Sequence, residues 1–367
     1  MPAVNTAQNL LSLYSQKVRT FSNSILNGAN LRNANLSSAN LSSANLSNAN
    51  LSNANLSNAN LANANLYAAN LTGAVLSRAN LSNANLYNAN LNSANLYDAY
   101  LNSANLIYAK LNSANLTVAN LANATLSGAN LSSANLYAAN LSSANLTYAN
   151  LANANLYDAY LYDANLKAAH LNSANLSGAN LYYANLTGAD LTDANLIGAY
   201  LANATLRSTG LTYANLTGAN LRYADLTGAN LKGVKVLGAN LFNAKLSSNS
   251  GLDNLYIGKP KNDTLIGTSK DDFFVGQGGR DTFTGGAGKD TFTINDFVGA
   301  KPSLFTDYTT VKDFKPVDDF IVLQGKSDQY SLTQRGTDVF LSHSGQEIAT
   351  LQNSHVSNFS QGFSFFG

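Results

Sequence analysis

Between Leu26 and Leu246 an aliphatic residue recurs at every fifth position without a slip in register, and only Val236 departs from leucine. Two residues before nearly every leucine stands an alanine, usually with asparagine between them, as in Ala29-Asn30-Leu31. The unit reads A-N-L-x-x, with Ser, Asn, Thr, Gly or Tyr in the x positions. More than half of the chain is therefore one short motif stacked upon itself, and a fixed short period signals a solenoid.

The period selects the kind of solenoid. On an α-helix a five-residue step would carry leucine around the whole circumference and leave no apolar stripe. On an extended strand, Ala at i−2 and Leu at i share a face, because side chains alternate. The step from that Leu to the next Ala is odd, so a corner must reset the phase after every leucine. The x-x pair supplies the corner, and glycine there (Gly28, Gly73, Gly178, Gly218) suits a tight turn. Proline is absent from the array, as a continuous hydrogen-bonded ladder requires. The expected product is short sides and repeated corners around a narrow core of Leu and Ala.

These residues, from Ala29-Asn30-Leu31 to Ala239-Asn240-Leu241, follow A-(N/D)-L-x-x, and the chain here resembles the pentapeptide-repeat proteins. The resemblance implies an all-β fold, a right-handed quadrilateral β-helix with four pentapeptides per coil. Spacing adds support: Tyr97, Tyr137 and Tyr157 lie multiples of twenty apart, as do Tyr100, Tyr160 and Tyr200. About eleven such coils at a strand spacing of ~4.8 Å would make a rod roughly 50 Å long.

Four segments are expected: an N-terminal helical cap at 1–25, the β-helix at 26–250, a nonapeptide β-roll at 251–300 and a β cap at 301–367. In the first, Leu10, Tyr14, Val18, Phe21 and Ile25 fall at helical spacing, and Asn5 with Gln8 could open the helix. A helix there would cover the open first coil, which otherwise presents unpaired edges. No apolar run reaches signal-peptide or membrane-spanning length, so membrane insertion is not expected. Cysteine is absent, which removes disulfides, thiol catalysis and thiolate metal sites.

After Leu246 the beat changes from five to nine. Asp263, Asp272, Asp281 and Asp290 are each nine residues apart, in units that begin at Gly258, Gly267, Gly276 and Gly285. The last reads G-G-A-G-K-D-T-F-T and fits G-G-x-G-x-D-x-U-x throughout; the third, G-Q-G-G-R-D-T-F-T, shifts one glycine, and the first is degenerate and holds Pro260. Glycine permits left-handed backbone that turns carbonyls inward, and a hard cation such as calcium prefers oxygen ligands. Gly276, Gly278, Gly285 and Gly288 are the candidate loop residues, with the four aspartates as carboxylate ligands. Turns two units apart would share an ion, which pairs Asp272 with Asp290 and, second, Asp263 with Asp281. Leu265, Phe274, Phe283 and Phe292 would pack beneath.

Residues 258–293 resemble the repeats-in-toxin (hemolysin-type) calcium-binding module of secreted bacterial proteins. The stretch from Asp313-Phe314 to Asp319-Phe320-Ile321-Val322-Leu323 resembles the segment that often follows it, which implies a further calcium site at Asp313 and Asp319. Strands are expected at Phe320 to Leu323, Asp338 to Ser342 and Glu347 to Leu351, before an apolar end with Phe359, Phe363, Phe365 and Phe366. The resemblance also implies type I secretion through an uncleaved C-terminal signal, hence an extracellular or cell-surface location.

The histidines, His170, His343 and His355, lie in no nucleophile, zinc or phosphate-loop motif, so no enzyme is expected. Some pentapeptide-repeat proteins imitate duplex DNA and bind a topoisomerase in the cytoplasm. The array here carries nine Lys or Arg against six Asp, and the whole chain is +1, so it matches neither a duplex nor a nucleic-acid binder. The favoured expectation is a secreted, calcium-stabilised structural or adhesive rod of a bacterial matrix, sheath or surface layer, which self-associates or binds matrix proteins or polysaccharide. Its outer positions are neutral Ser, Asn and Thr with fifteen Tyr, all in outward slots and suited to contact.

Overall fold

The computed structural model describes residues 4–241, 243–247, 254–258, 262–276, 279–294, 308–324, 327–354 and 363–366. Gly278, Pro260, His355 and Phe359 lie outside the described residues. Two compact units are present. One holds the chain up to Leu196 with Ala204–Thr212; the other holds Ile197–Asn203 and the chain from Tyr213 on.

In the first unit a single pentapeptide explains the architecture. Each leucine opens a turn closed by the alanine amide three residues on, as in Ala34 N–H to Leu31 O at 3.1 Å. The second x residue is left-handed at every corner, with φ of 56° at Asn33 and 65° at Gly73, which is the type II turn pattern that favours Gly and Asn. The asparagine before each leucine pins the corner: Asn50 Oδ1 accepts the Ser52 amide at 3.1 Å. It also ladders between coils, with Asn60 Nδ2 donating to Asn40 Oδ1 at 3.3 Å. Parallel bridges join residues twenty apart (Asn30 to Asn50, Asn50 to Asn70), so four pentapeptides make one coil. Leucines and alanines fill the interior; Leu126, Ala129 and Leu131 are fully buried. The fold is a β-helix, as expected.

The interior accepts polar variation where a hydroxyl finds a partner, as at Ser24, which donates to Phe21 O at 2.7 Å. Thr209 takes an alanine slot, is fully buried, and donates its hydroxyl to Leu186 O at 2.9 Å. A buried hydroxyl is tolerated there because it finds a partner.

The N-terminal expectation needs correction. The helix α1 spans only Ala7–Ser15, and Thr6 caps it by accepting the Asn9 amide at 3.1 Å; Asn5 and Gln8 do not form its start. Val18, Phe21 and Ile25 are not helical. Phe21 instead stands in the leucine slot one repeat ahead of Leu26, is 2% exposed, and its amide donates to Asn40 O at 2.7 Å. The β-helix therefore begins by Thr20, which bridges Asn40. A phenylalanine in a leucine slot hid this repeat, because its step from Tyr14 also fits a helix. From α1, Leu10 is buried and Tyr14 donates its hydroxyl to Ser37 O at 2.8 Å. No helix among the described residues is long and apolar enough to cross a membrane.

Left-handed corners exact a conformational penalty wherever the residue carries a β-branched side chain. Val118 sits at φ 52° and is 38% exposed, while its amide donates to Tyr137 O at 2.9 Å. A left-handed L-residue is disfavoured by roughly 1–2 kcal/mol, and Asn relieves part of this. Val118→Asn should therefore raise the stability of the solenoid by about 1 kcal/mol. Denaturant unfolding of the two proteins checks it; an unchanged or lower midpoint refutes it.

In the second unit the last coils pair Tyr200 with Asn220 and Asn220 with Asn240, and the two-residue strands β1 (Asp225–Leu226) and β2 (Lys245–Leu246) pair in parallel. Two sheets follow. One has the order β13-β9-β7-β5-β3, from Phe363–Phe366, Phe320–Gln324, Thr291–Thr293, Phe273–Val275 and Leu255–Ile257. The other has the order β10-β11-β12-β8-β6-β4, from Tyr330–Arg335, Asp338–His343, Gln346–Leu351, Tyr308–Val311, Arg280–Thr284 and Thr264–Ile266. The nonapeptide strands pair in parallel at eighteen-residue register, Phe273 opposite Thr291 and Thr264 opposite Thr282. Successive nonapeptides thus alternate between the sheets, as a β-roll does. Phe274, Phe283 and Phe292 are fully buried between them; Phe274 stacks on Phe292 at 5.0 Å and 12°. Leu265 is partly buried against the same core, which extends through Val311, Ile321, Val339 and Ile348. Of the strands beyond the roll, β8, β10 and β13 were not expected from sequence.

Candidate calcium-binding turns

The second and fourth nonapeptides each supply a turn that starts at glycine and ends at aspartate, then a strand whose middle apolar residue anchors it in the core. Anchoring by Phe274 and Phe292 fixes the turns Gly267–Asp272 and Gly285–Asp290 one above the other. The Ala287 amide donates to Thr268 O at 3.1 Å, and the Lys289 amide to Asp271 Oδ1 at 2.8 Å.

The aspartates form a ladder. The Asp272 amide donates to Asp290 Oδ1 at 2.9 Å, and the Asp290 amide to Asp319 Oδ1 at 3.0 Å. On the other edge of the roll the Asp263 amide donates to Asp281 Oδ1 at 3.0 Å. Both pairings expected from sequence, Asp272 with Asp290 and Asp263 with Asp281, are thus side by side. Asp272, Asp281, Asp290 and Asp319 are all 3% exposed or less. Within its own turn the Asp272 carboxylate accepts the Thr268 amide and hydroxyl.

Asp290 is the electrostatic focus. Its Oδ2 is buried and has no hydrogen-bond partner among the described residues. Burial first, then the charges of Asp319, Asp272 and Asp313, push its carboxyl up to about 7, against the lowering effect of the Asp272 amide. Burial likewise raises Asp319. Such a group gains most from a cation beside it.

The glycines serve two purposes, and only one matches the sequence expectation. Gly286 and Gly288 are left-handed, with φ of 98° and 113°. A Cβ at Gly286 would strike Thr268 O, and one at Gly288 would strike Lys270 O, so both let carbonyl oxygens crowd between the stacked turns. Gly267, Gly276 and Gly285 do not have positive φ. Each instead lies under the carboxylate of its own turn, where a Cβ would collide with Asp272, Asp281 or Asp290 Oδ2 respectively. The first glycine of the unit makes room for the aspartate five residues on.

These features fit a hard divalent cation with carbonyl and carboxylate ligands. Asp272, Asp290 and the loop carbonyls near them would hold it, with Asp263 and Asp281 as the matching pair across the roll. A bound ion would supply positive charge where buried carboxylates face one another. Among the described residues no three His, Cys, Asp or Glu side chains gather in a metal-holding group, so most of the ligands would come from the backbone. Asp313, expected with Asp319 at a further calcium site, holds the last glycine loop: its two oxygens accept the Gly285 and Gly286 amides at 2.7 and 2.8 Å.

The first unit offers a second kind of surface. Tyrosines one coil apart stack, Tyr67 on Tyr87 at 5.6 Å and 5°, and Tyr137 on Tyr157 at 5.7 Å and 6°. Tyr162, Tyr182 and Tyr183 form a further cluster. Rings both stacked and exposed, such as Tyr137 and Tyr157, stiffen the corner and still present a face. His170 is exposed in an asparagine slot, and His343 lies 4.8 Å from the Tyr330 ring.

The family profile for pentapeptide repeats matches segments that run together from residue 20 to residue 247. The profile for the RTX calcium-binding nonapeptide repeat matches residues 257–292. Among solved structures, the chain is 35% identical to HetL, a pentapeptide repeat protein involved in heterocyst differentiation regulation from the cyanobacterium Nostoc sp. strain PCC 7120. That match covers 65% of this chain and 94% of HetL, with a TM-score of 0.33. It is also 35% identical to alr5209, a pentapeptide repeat protein from Nostoc PCC 7120, over 30% of this chain and 84% of that one, with a TM-score of 0.24. Full-length QnrB1, a plasmid-mediated fluoroquinolone resistance protein, is 18% identical over 49% of this chain and 85% of its own, with a TM-score of 0.26. No curated protein gives a significant match.

Proposed function

We propose, for a chain that belongs to the pentapeptide repeat family and carries RTX calcium-binding nonapeptide repeats, a non-catalytic role as a secreted, calcium-stabilised structural or adhesive element of a bacterial matrix, sheath or surface layer. The observation that carries this reading is the buried neighbouring pair Asp272 and Asp290, the second with an Oδ2 that has no hydrogen-bond partner among the described residues. Carboxylates packed in this way repel one another until a divalent ion joins them. Extracellular calcium modules work at about 10⁻⁴–10⁻³ M calcium, a level met outside cells. The C-terminal module would then become stable where the protein is to act.

The solenoid supports the same reading. Its corners expose Ser, Asn and Thr with stacked Tyr, a low-charge surface suited to lateral contact with further copies or with polysaccharide. Imitation of duplex DNA would need a dense row of carboxylates, and the array has six Asp against nine Lys or Arg. The test is to locate the native protein by cell fractionation and to image the purified chain by electron microscopy with and without millimolar calcium. Extracellular protein that forms sheets or filaments in calcium is expected. A cytoplasmic protein that inhibits topoisomerase supercoiling would overturn the proposal.

A further inference from the structure

The ladder does not stop at the last nonapeptide. The Lys315 amide donates to Asp319 Oδ2 at 2.8 Å, four residues on, as the Thr268 amide does to Asp272. The Asp319 carboxylate receives the Asp290 amide, as Asp290 receives that of Asp272. The Phe320 amide donates to Asp290 O at 2.7 Å, as Thr291 does to Asp272 O at 2.8 Å. Strand register continues too, with Phe320 opposite Thr291 and Thr291 opposite Phe273. Residues 314–320 are therefore a third layer on this edge of the roll. The layer stayed hidden in the sequence because 29 residues, not 18, separate Asp319 from Asp290, and because it contains no glycine.

In this layer the Lys315 carbonyl is already engaged. Lys315 O accepts the amides of Asp318 and Asp319 at 3.0 and 2.8 Å, so the turn closes on itself. The Lys315 side chain reaches to the loop before it, where Nζ donates to Gly286 O at 2.7 Å. Gly286 is one of the two left-handed glycines that bring carbonyls together, and its own amide is held by Asp313 at 2.8 Å. The ammonium of this exposed lysine thus lies on the outer carbonyl of the last glycine loop, where its charge also acts on Asp319.

We infer that Lys315 ends the cation column: its ammonium, bonded to the Gly286 carbonyl, takes the place that a divalent ion would hold between the Gly285–Asp290 loop and the Lys315–Asp319 turn. This rests on the reading of the glycine loops as calcium sites. The terminal layer is neutralised by the chain itself, and the ion column has a fixed length.

The test compares the full chain with Lys315→Met and Lys315→Arg, each refolded in calcium. Equilibrium dialysis gives calcium bound per chain; calorimetry in chelator gives the calcium-free midpoint of the C-terminal transition. Lys315→Met should take up one more calcium than the unaltered chain and melt about 5 °C lower in chelator, while Lys315→Arg should match the unaltered chain in both. Equal calcium uptake by Lys315→Met overturns the inference, whatever its melting temperature. Should the unaltered chain bind no calcium, the reading of the loops themselves fails, which is seen before any variant is compared.

Discussion

Removal of calcium should melt the C-terminal module while the solenoid stays folded. At calcium a hundredfold above its dissociation constant each site adds about 2.7 kcal/mol, and two edges of the roll would add roughly twice that. A kilocalorie shifts the midpoint of a module this size by about 4–8 °C, so chelation should lower its transition by some 20 °C or more. Calorimetry should show one calcium-dependent and one calcium-independent transition. Asp290 sets the sign of the pH effect. Its folded pKa of about 7 lies above that of the unfolded chain, so the folded form holds the proton more tightly. The stability this confers is complete below about pH 4 and is lost as pH rises through about 7, so the calcium-free midpoint should fall between pH 5 and 8. In calcium the trend should reverse, because ion and proton compete for the carboxylate. Asp290→Asn should reduce the calcium-free pH slope, leaving the part that Asp319 contributes, and reduce calcium affinity by tenfold or more. A C-terminal transition indifferent to chelator and to pH would defeat this account.

Much of this was legible in the sequence, and the reasons can be given residue by residue. The coil was readable because Ala, Asn and Leu each have one job: Ala and Leu fill the interior, while Asn50 holds the corner through the Ser52 amide. The aspartate pairs were readable because strands of one nonapeptide force an eighteen-residue register. Phe21 reads as helical in the sequence because a five-residue slot and a helical stripe accept the same phenylalanine. Glycine in these units suggests left-handed backbone, whereas Gly267 and Gly285 answer to steric pressure from Asp272 and Asp290. That pressure comes from a folded neighbour and leaves no periodic mark. Asp313 as an amide acceptor and Lys315 as a donor to Gly286 were unreadable for the same reason, since contacts across 27 and 29 residues depend on how strands stack.

Leu136→Ala should strongly destabilise the solenoid, and Tyr137→Ser beside it should do so only mildly. The two residues are adjacent, yet Leu136 is fully buried and Tyr137 is 39% exposed. Leu116, Leu136 and Leu156 hold the same position in successive coils, all fully buried, so a truncation at 136 leaves a gap between two coils. A backbone tied by the Leu136 amide to Asn155 O at 2.7 Å has little freedom to close it. Leu-to-Ala changes at such sites cost about 2–5 kcal/mol. Tyr137 loses its stacking on Tyr157, worth about 0.5–1.5 kcal/mol. Because each coil touches only its neighbours, the gap should also weaken the coupling between the coils on either side, and the unfolding transition should broaden or split. Urea unfolding of the two variants measures both effects: a lower, broader transition for Leu136→Ala and a sharp, nearly unshifted one for Tyr137→Ser. Equal shifts would mean that surface stacking, and not the Leu–Ala interior, holds successive coils together.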